Sequence, residues 1–305
     1  MHTRQATTVG IYWQFSAGVQ HEVLPRVSVD VNLFRTWFGN FVGTVDRAVR
    51  AADFDTFSIT APRDPRLPGV GGYAISGLYD RKPQAFGVPA DVLITRSNSY
   101  GKQTEHWDGV DISINARPRA GLLLTGGTNT QRRSTNNCDV VDEVGAAPGR
   151  GGRLTAFTPS PLYCDVAGTF LTQVKFVTSY TLPRWDLQMS AALQSNPGPE
   201  ILANYTAPTA EVRPSLGRDL SGGARNVTVN LVAPRTMYGE RLNQLDLRFG
   251  KIIRFDRIRA TASVDLYNAL NGSPVITVSN AFANWLQPQS ILPARFAKVV
   301  LQLDF

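Results

Sequence analysis

Apolar and polar residues alternate one by one over long stretches of this chain. In "TVGIYWQFSAGVQHEV", Val9, Ile11, Trp13, Phe15, Ala17 and Val19 share one side, with Gln14, Ser16, Gly18, Gln20 and Glu22 opposite. A tight "LPR" follows, and Val27, Val29, Val31 and Leu33 then alternate with Ser28, Asp30 and Asn32 on the way back. A period of two with a turn between its halves predicts a β-hairpin with one apolar and one wet face.

The device recurs along the chain. Val110, Ile112, Ile114 and Ala116 alternate with Asp111, Ser113, Asn115 and Arg117, and a turn at Pro118 leads to the less regular "GLLLTGGTNTQ". Phe170, Val174, Phe176 and Tyr180 precede a second "LPR", after which Trp185, Leu187, Met189, Ala191 and Leu193 alternate with Asp186, Gln188, Ser190 and Gln194. Leu245, Leu247, Phe249 and Ile253 pair in the same way with Ile258, Ala260, Ala262, Val264 and Leu266, and a last strand closes the chain through Val299, Leu301, Leu303 and Phe305. The pattern predicts about nine long strands: four hairpins with turns of two to four residues, and one final strand.

The connections between hairpins are of another kind. They run roughly over 46–102, 132–167, 196–240 and 271–292 and are rich in Gly, Pro, Asn and Asp. Short turns at one end and long loops at the other are the asymmetry of an outer-membrane barrel, with periplasmic turns and extracellular loops. Polarity points the same way: Asp30, Asp111, Lys175, Asp186, Arg248 and Asp265 sit on the wet face, while the opposite face is almost free of charge. Trp13, Tyr180, Trp185, Phe249, Phe255 and Phe305 fall near strand ends, where interfacial girdles lie. No apolar run approaches the ~18 residues of a membrane-spanning helix. Burial of the apolar face against a second sheet, as in a β-sandwich, is the competing architecture.

The ending carries a resemblance. "RLNQLDLRFGKIIRFDRIRATASVDLYNALN" followed by "PQSILPARFAKVVLQLDF" resembles the C-terminal end of TonB-dependent outer-membrane receptors, of the type with a carboxypeptidase-regulatory-like N-terminal domain. The likeness covers about the last 65 residues. It implies an all-β, antiparallel transmembrane β-barrel in the bacterial cell outer membrane, here a partial barrel. It also implies that Val299, Leu301, Leu303 and Phe305 form the terminal signal read by the barrel assembly machinery. The implied function is uptake of a siderophore, glycan or other nutrient, with outer-membrane lipid, the TonB complex and an extracellular small-molecule or oligosaccharide ligand as partners. A barrel serving as an adhesin or surface-binding platform is the alternative.

Receptors of this kind have large barrels of about 22 strands and an upstream plug, and bacterial single-chain barrels use even strand numbers. The expectation is therefore that residues 1–305 are the C-terminal part of an outer-membrane barrel, with plug and N-terminal domains absent, or a reading frame begun late at Met1.

Composition changes this picture little. The formal charge of +7 comes mainly from dispersed arginines without a basic run, which argues against a nucleic-acid partner. Cys138 and Cys164, the only cysteines, lie in one Gly/Pro-rich stretch without a nearby His. A disulfide, which requires an oxidising compartment, is expected there rather than zinc; two free thiols is the other possibility. His2, His21 and His106 are far apart, and "GAAPGRGG" at 145–152 lacks the Lys-Ser/Thr of a phosphate loop. No catalytic constellation, cofactor site or metal site is expected, and the protein is read as a non-enzyme. Asp53, Asp55, Asp64 and Asp80 in the first long loop are read as solvated turn formers in preference to calcium ligands. Trp37, Phe38, Phe41 and Tyr73 are candidates for stacking on a ligand, with interfacial anchoring as their simpler role.

Overall fold

A computed structural model describes residues 4–5, 10–144, 161–255 and 258–304. Nine long strands form one antiparallel sheet in strict chain order. They are β1 (Ile11–Leu24), β2 (Val27–Gly39), β3 (Thr104–Ala116), β4 (Leu122–Asn136), β5 (Leu171–Leu182), β6 (Leu187–Asn196), β7 (Leu242–Phe255), β8 (Ile258–Tyr267) and β9 (Phe296–Asp304). Each pairs only with its predecessor and successor among them, so the sheet is an up-and-down meander with β1 and β9 as its edges.

The strands outrun the alternation at the loop end. β3 begins at Thr104, six residues before Val110, and β4 continues to Asn136. Above the apolar band a strand keeps its ladder hydrogen bonds whether or not its side chains alternate, so the pattern fades before the sheet does.

Register sorts the side chains cleanly. Val19, Val31, Ile112, Thr128 and Val174 lie on one side of the first five strands, and Leu193, Leu245, Phe249, Val264 and Val299 on the same side of the rest. Among the described residues of the nine strands, this face carries only Arg35, Asp108, Arg132 and Lys251 as charged groups. The opposite face carries Asp30, Glu105, Asp111, Arg133, Lys175, Asp246, Arg248, Asp265 and Lys298, among others.

No second layer covers the neutral face. Trp13 is 72% exposed, Val19 70% and Val299 79%, and the only buried apolar side chains of the nine strands are Ala116, Ile252 and Ala260 among the described residues. The exposed area is 17990 Å², whereas a folded soluble monomer of 33.3 kDa exposes about 12,600 Å². A row of exposed large apolar side chains along one face of nine strands is not what a water-soluble monomer leaves uncovered.

The hydrophobic core lies in the loops instead. The first long connection folds a hairpin from Phe54–Thr60 and Ala74–Arg81, and the third folds Asn204–Pro208, helix α1 (Thr209–Leu216) and Asn226–Asn230. Phe57, Ile59, Leu67, Ile75 and Leu78 of the first pack with Ile201, Val212, Leu220, Val229 and Leu231 of the third and Trp285 of the fourth. Leu162 of the second packs against the same cluster. Gly217 ends α1 at φ 77°, a left-handed conformation that Gly reaches without a Cβ clash, and its N–H returns to the Arg213 carbonyl.

A charged clamp joins two of these loops. Arg218 reaches Asp55 at 2.8 Å and Asp80 at 2.5 Å, and the Asp80 carboxylate, 4% exposed, also accepts the Ser221 N–H at 3.0 Å. Removing one partner of such a buried pair strands the other charge, at a cost of about 3–5 kcal/mol. The loops therefore form a packed cap. Arg235 of the cap donates to Thr135 Oγ1 at 2.7 Å and to the Arg133 carbonyl at 3.3 Å, and so ties it to β4 from the polar side.

Candidate ligand-binding surface

On the polar face, just below the cap, aromatic residues interrupt the wet pattern. β2 places Phe34, Thr36 and Phe38 on that face because they alternate with Leu33, Arg35 and Trp37, and β3 brings Trp107 opposite Thr36. With Tyr12, Gln14 and Asp111 they line a concavity of about 440 Å³. Phe34 and Trp107 lie 6.3 Å apart and tilted, and Tyr12 lies 6.5 Å from Phe38.

The shelf is held in place by polar contacts. Trp107 Nε1 donates to Gln131 Oε1 at 2.8 Å, which fixes the plane of the indole. Gly109, two residues along the same face, leaves the room this needs: a Cβ there would lie 2.6 Å from the Trp107 ring. Asn129 donates to the Asp111 carboxylate, and Arg133, directly opposite Trp107, pairs at 2.5 Å with Glu105 one rung above. Aromatic planes beside a carboxylate, a carboxamide and a hydroxyl suit a ligand with both flat apolar and hydrogen-bonding parts.

The four aromatics singled out from the sequence lie in four different places. Phe38 belongs to the shelf. Trp37 is on the neutral face under the Arg35 guanidinium, 5.3 Å from the ring centroid. Phe41 is half-buried at the start of the first loop, its carbonyl accepting the Ser97 N–H at 2.9 Å. Tyr73 packs on the cap core and donates to the Leu231 carbonyl at 2.7 Å. Tyr12, Phe34 and Trp107 escaped notice because a period-two reading assigns face by neighbours and treats a mid-strand aromatic as apolar. The signal was present in "FRTWF", where both faces of β2 become aromatic.

Of the four loop carboxylates only Asp55 and Asp80 come together, and they do so on Arg218. Asp53 accepts the Arg50 N–H at 2.7 Å, Asp55 and Asp80 meet Arg218, and Asp64 pairs with Arg66 at 2.7 Å. The hydrogen bond from the Arg66 guanidinium lowers the Asp64 carboxyl to about 2. Among the described residues no three His, Cys, Asp or Glu side chains come together as metal ligands. Burial pushes the Tyr163 phenol up to about 12, and burial followed by the hydrogen bond to Glu211 does the same for Tyr205.

Cys138 and Cys164 are joined by a disulfide with their Cα atoms 4.8 Å apart. Val299, Leu301 and Leu303 project from the exposed edge strand β9, all on the neutral face, while Phe305 lies outside the described residues. His2 and the glycine-rich 145–152 stretch also lie outside them. His21 and His106 sit on the neutral face of β1 and β3.

No family model matches the chain, and no curated protein matches it. Among solved structures it is similar to the ferripyoverdine receptor of the outer membrane of Pseudomonas aeruginosa, bound to ferripyoverdine, at 12% identity and a TM-score of 0.40. That likeness covers 95% of this chain and 26% of the receptor. The chain thus spans about a quarter of the receptor's length, and the receptor's ligand and activity are statements about the receptor.

Proposed function

We propose that the nine-stranded sheet is a section of an outer-membrane β-barrel belonging to a TonB-dependent receptor, which takes up a scarce small molecule or oligosaccharide. The observation that carries the reading is the sheet itself: a neutral, uncovered face across all nine strands, tight turns at one end and packed loops at the other. Lipid is the medium that removes such a face from water, and the polar face then looks into a lumen. The C-terminal resemblance adds the receptor class, and with it the barrel assembly machinery acting on β9 and the TonB complex acting through a region outside this chain.

In this reading the protein does no covalent chemistry. The cap faces the outside, and the shelf of Tyr12, Phe34, Phe38 and Trp107 meets the ligand as it passes below the loops. Because the outer edges of β1 and β9 are unpaired among the described residues, closing a barrel in this reading takes further strands. A packed cap also suits a surface-binding platform, so the decisive assay is energised uptake. Cells producing the protein are given radiolabelled ferric chelates and labelled oligosaccharides with and without a protonophore. Accumulation that stops with the protonophore supports transport; surface binding indifferent to it supports the platform and defeats the transport reading.

A further inference from the structure

Apart from Lys251 near the turn end, the charged residues of the neutral face among the described residues form one rung, and its position is informative. Arg35 on β2, Asp108 on β3 and Arg132 on β4 are direct register partners. Both Arg Nε atoms lie 3.6 Å from the Asp108 carboxylate, so two cations share one anion and the rung keeps a net positive charge. The two side chains are about half exposed, at 48% and 40%, although the Arg132 Nε atom is itself buried, and neither makes a hydrogen bond to another described side chain or carbonyl. Aromatic rings back them: Arg35 stacks over Trp37 at 5.3 Å and Arg132 over Phe170 at 4.6 Å, with Phe15 opposite Arg35 on β1 and Trp13 opposite Trp37.

The height of the rung fixes its surroundings. Eight residues separate Val27 at the turn end from Arg35. At about 3.3 Å per residue and a barrel tilt of about 40°, the rung stands roughly 20 Å above the turns, near the upper limit of a ~25 Å apolar band. Charge is costly within that band and favourable at its edge, where arginines and tryptophans meet headgroups. The rung thus stands about 5 Å below the upper limit of that band, within reach of headgroups for long arginine side chains, and on the wrong face for a ligand in the lumen.

We propose that Arg35 and Arg132 form a binding site for the phosphate headgroup of a membrane lipid in the leaflet on the loop side. Asp108 spaces the two guanidinium groups and leaves their Nη atoms to donate to phosphate oxygens in the forked geometry that favours Arg over Lys. Phe15 and Phe170 flank the headgroup at the level of the rung, and Trp13 and Trp37 lie on its loop side, where interfacial aromatics sit. The inference rests on the membrane reading above, and its test separates the two.

The protein, with the further strands that close its barrel, is refolded into phosphatidylcholine vesicles carrying an equal fraction of either chain-brominated phosphatidic acid or chain-brominated phosphatidylcholine. Protease protection of the strands in pure phosphatidylcholine first reports insertion; failure there overturns the membrane reading and this site with it. For inserted protein, tryptophan quenching is expected to show roughly fivefold enrichment of the phosphatidic acid, the effect of about one net interfacial charge. Arg35→Gln with Arg132→Gln should abolish that enrichment while leaving protease protection intact, and Asp108→Asn should increase it. Equal quenching by both lipids in the unsubstituted chain, or enrichment unchanged in the double variant, overturns the site. Displacement of the enriched lipid by millimolar inorganic phosphate would assign the rung to soluble anions and overturn it as well.

Discussion

Trp285 joins three loops, so replacing it measures how far the cap is a single packed body. The side chain is 2% exposed within the cluster built by the first and third connections. Its Nε1 donates to the Leu202 carbonyl at 2.8 Å, its ring stacks on Phe282 at 5.7 Å, and the Arg66 guanidinium lies 5.4 Å from its centroid. Trp285→Ala removes the ring from a core that cannot fully collapse, a loss of about 3–5 kcal/mol. A mid-range loss of ~4 kcal/mol is about three decades in an opening equilibrium. Hydrogen exchange in vesicles should therefore show amides such as Leu231, bonded to the Ala203 carbonyl, exchanging about a thousandfold faster. Amides in the middle of β4 should keep their rates, because the sheet shares none of this core. Trp285→Phe retains most of the stack but strands the Leu202 carbonyl, and should cost about 1–2 kcal/mol. If Trp285→Ala changes cap exchange by less than tenfold, the loops are separate excursions and the packing argument fails.

Further predictions follow from the same geometry. Gly109→Ala drives a Cβ into the Trp107 ring, so it should break the bond to Gln131 and shift the indole emission, whereas Gly10→Ala, with nothing within 4 Å of the new Cβ, should be silent. Reducing the Cys138–Cys164 bond, which spans 26 residues, should release about 3.5 kcal/mol of loop-closure restraint, read as faster proteolysis of the second connection with that of the first unchanged. In an ultraviolet titration Tyr163 should remain protonated until about pH 12. The folded phenol holds its proton above the unfolded value of about 10, so cap stability should be level below pH 10 and fall as pH rises from there to the folded value. A midpoint near 10 for every loop tyrosine would contradict the burial of Tyr163.

Much of the sheet was legible because each strand obeys a local rule. Val27 to Leu33 alternate without a break and Leu187 to Leu193 with one, at Ala192, and the turns at Pro25–Arg26 and 183–186 leave no choice but a hairpin. Strand count and meander order followed, since short turns force neighbours to pair. The cap was not legible in this way. Its core unites Ile59, Val212 and Trp285 from three connections, and no periodicity links residues brought together by long-range packing. The same holds for Arg35, Asp108 and Arg132: each looks like an isolated charge in its own strand, and only register reveals a rung. For the ligand shelf, Phe38 was visible as a loop-side aromatic, but its partners Tyr12 and Trp107 lie on other strands.

The central claim is that one face of the sheet meets lipid and the other water, and a nitroxide scan of 187–194 tests it most directly. The two cysteines of this chain are bonded to each other, so single Cys substitutions along β6 can be labelled one at a time in the protein refolded into vesicles together with the strands that close its barrel. The account predicts that Leu187, Met189, Ala191 and Leu193 are relaxed by oxygen, and that Gln188, Ser190, Ala192 and Gln194 are relaxed by a water-soluble nickel chelate, in opposite phase with a period of two. If the nickel chelate reaches both sets equally, the neutral face is not in a bilayer and the barrel reading is wrong.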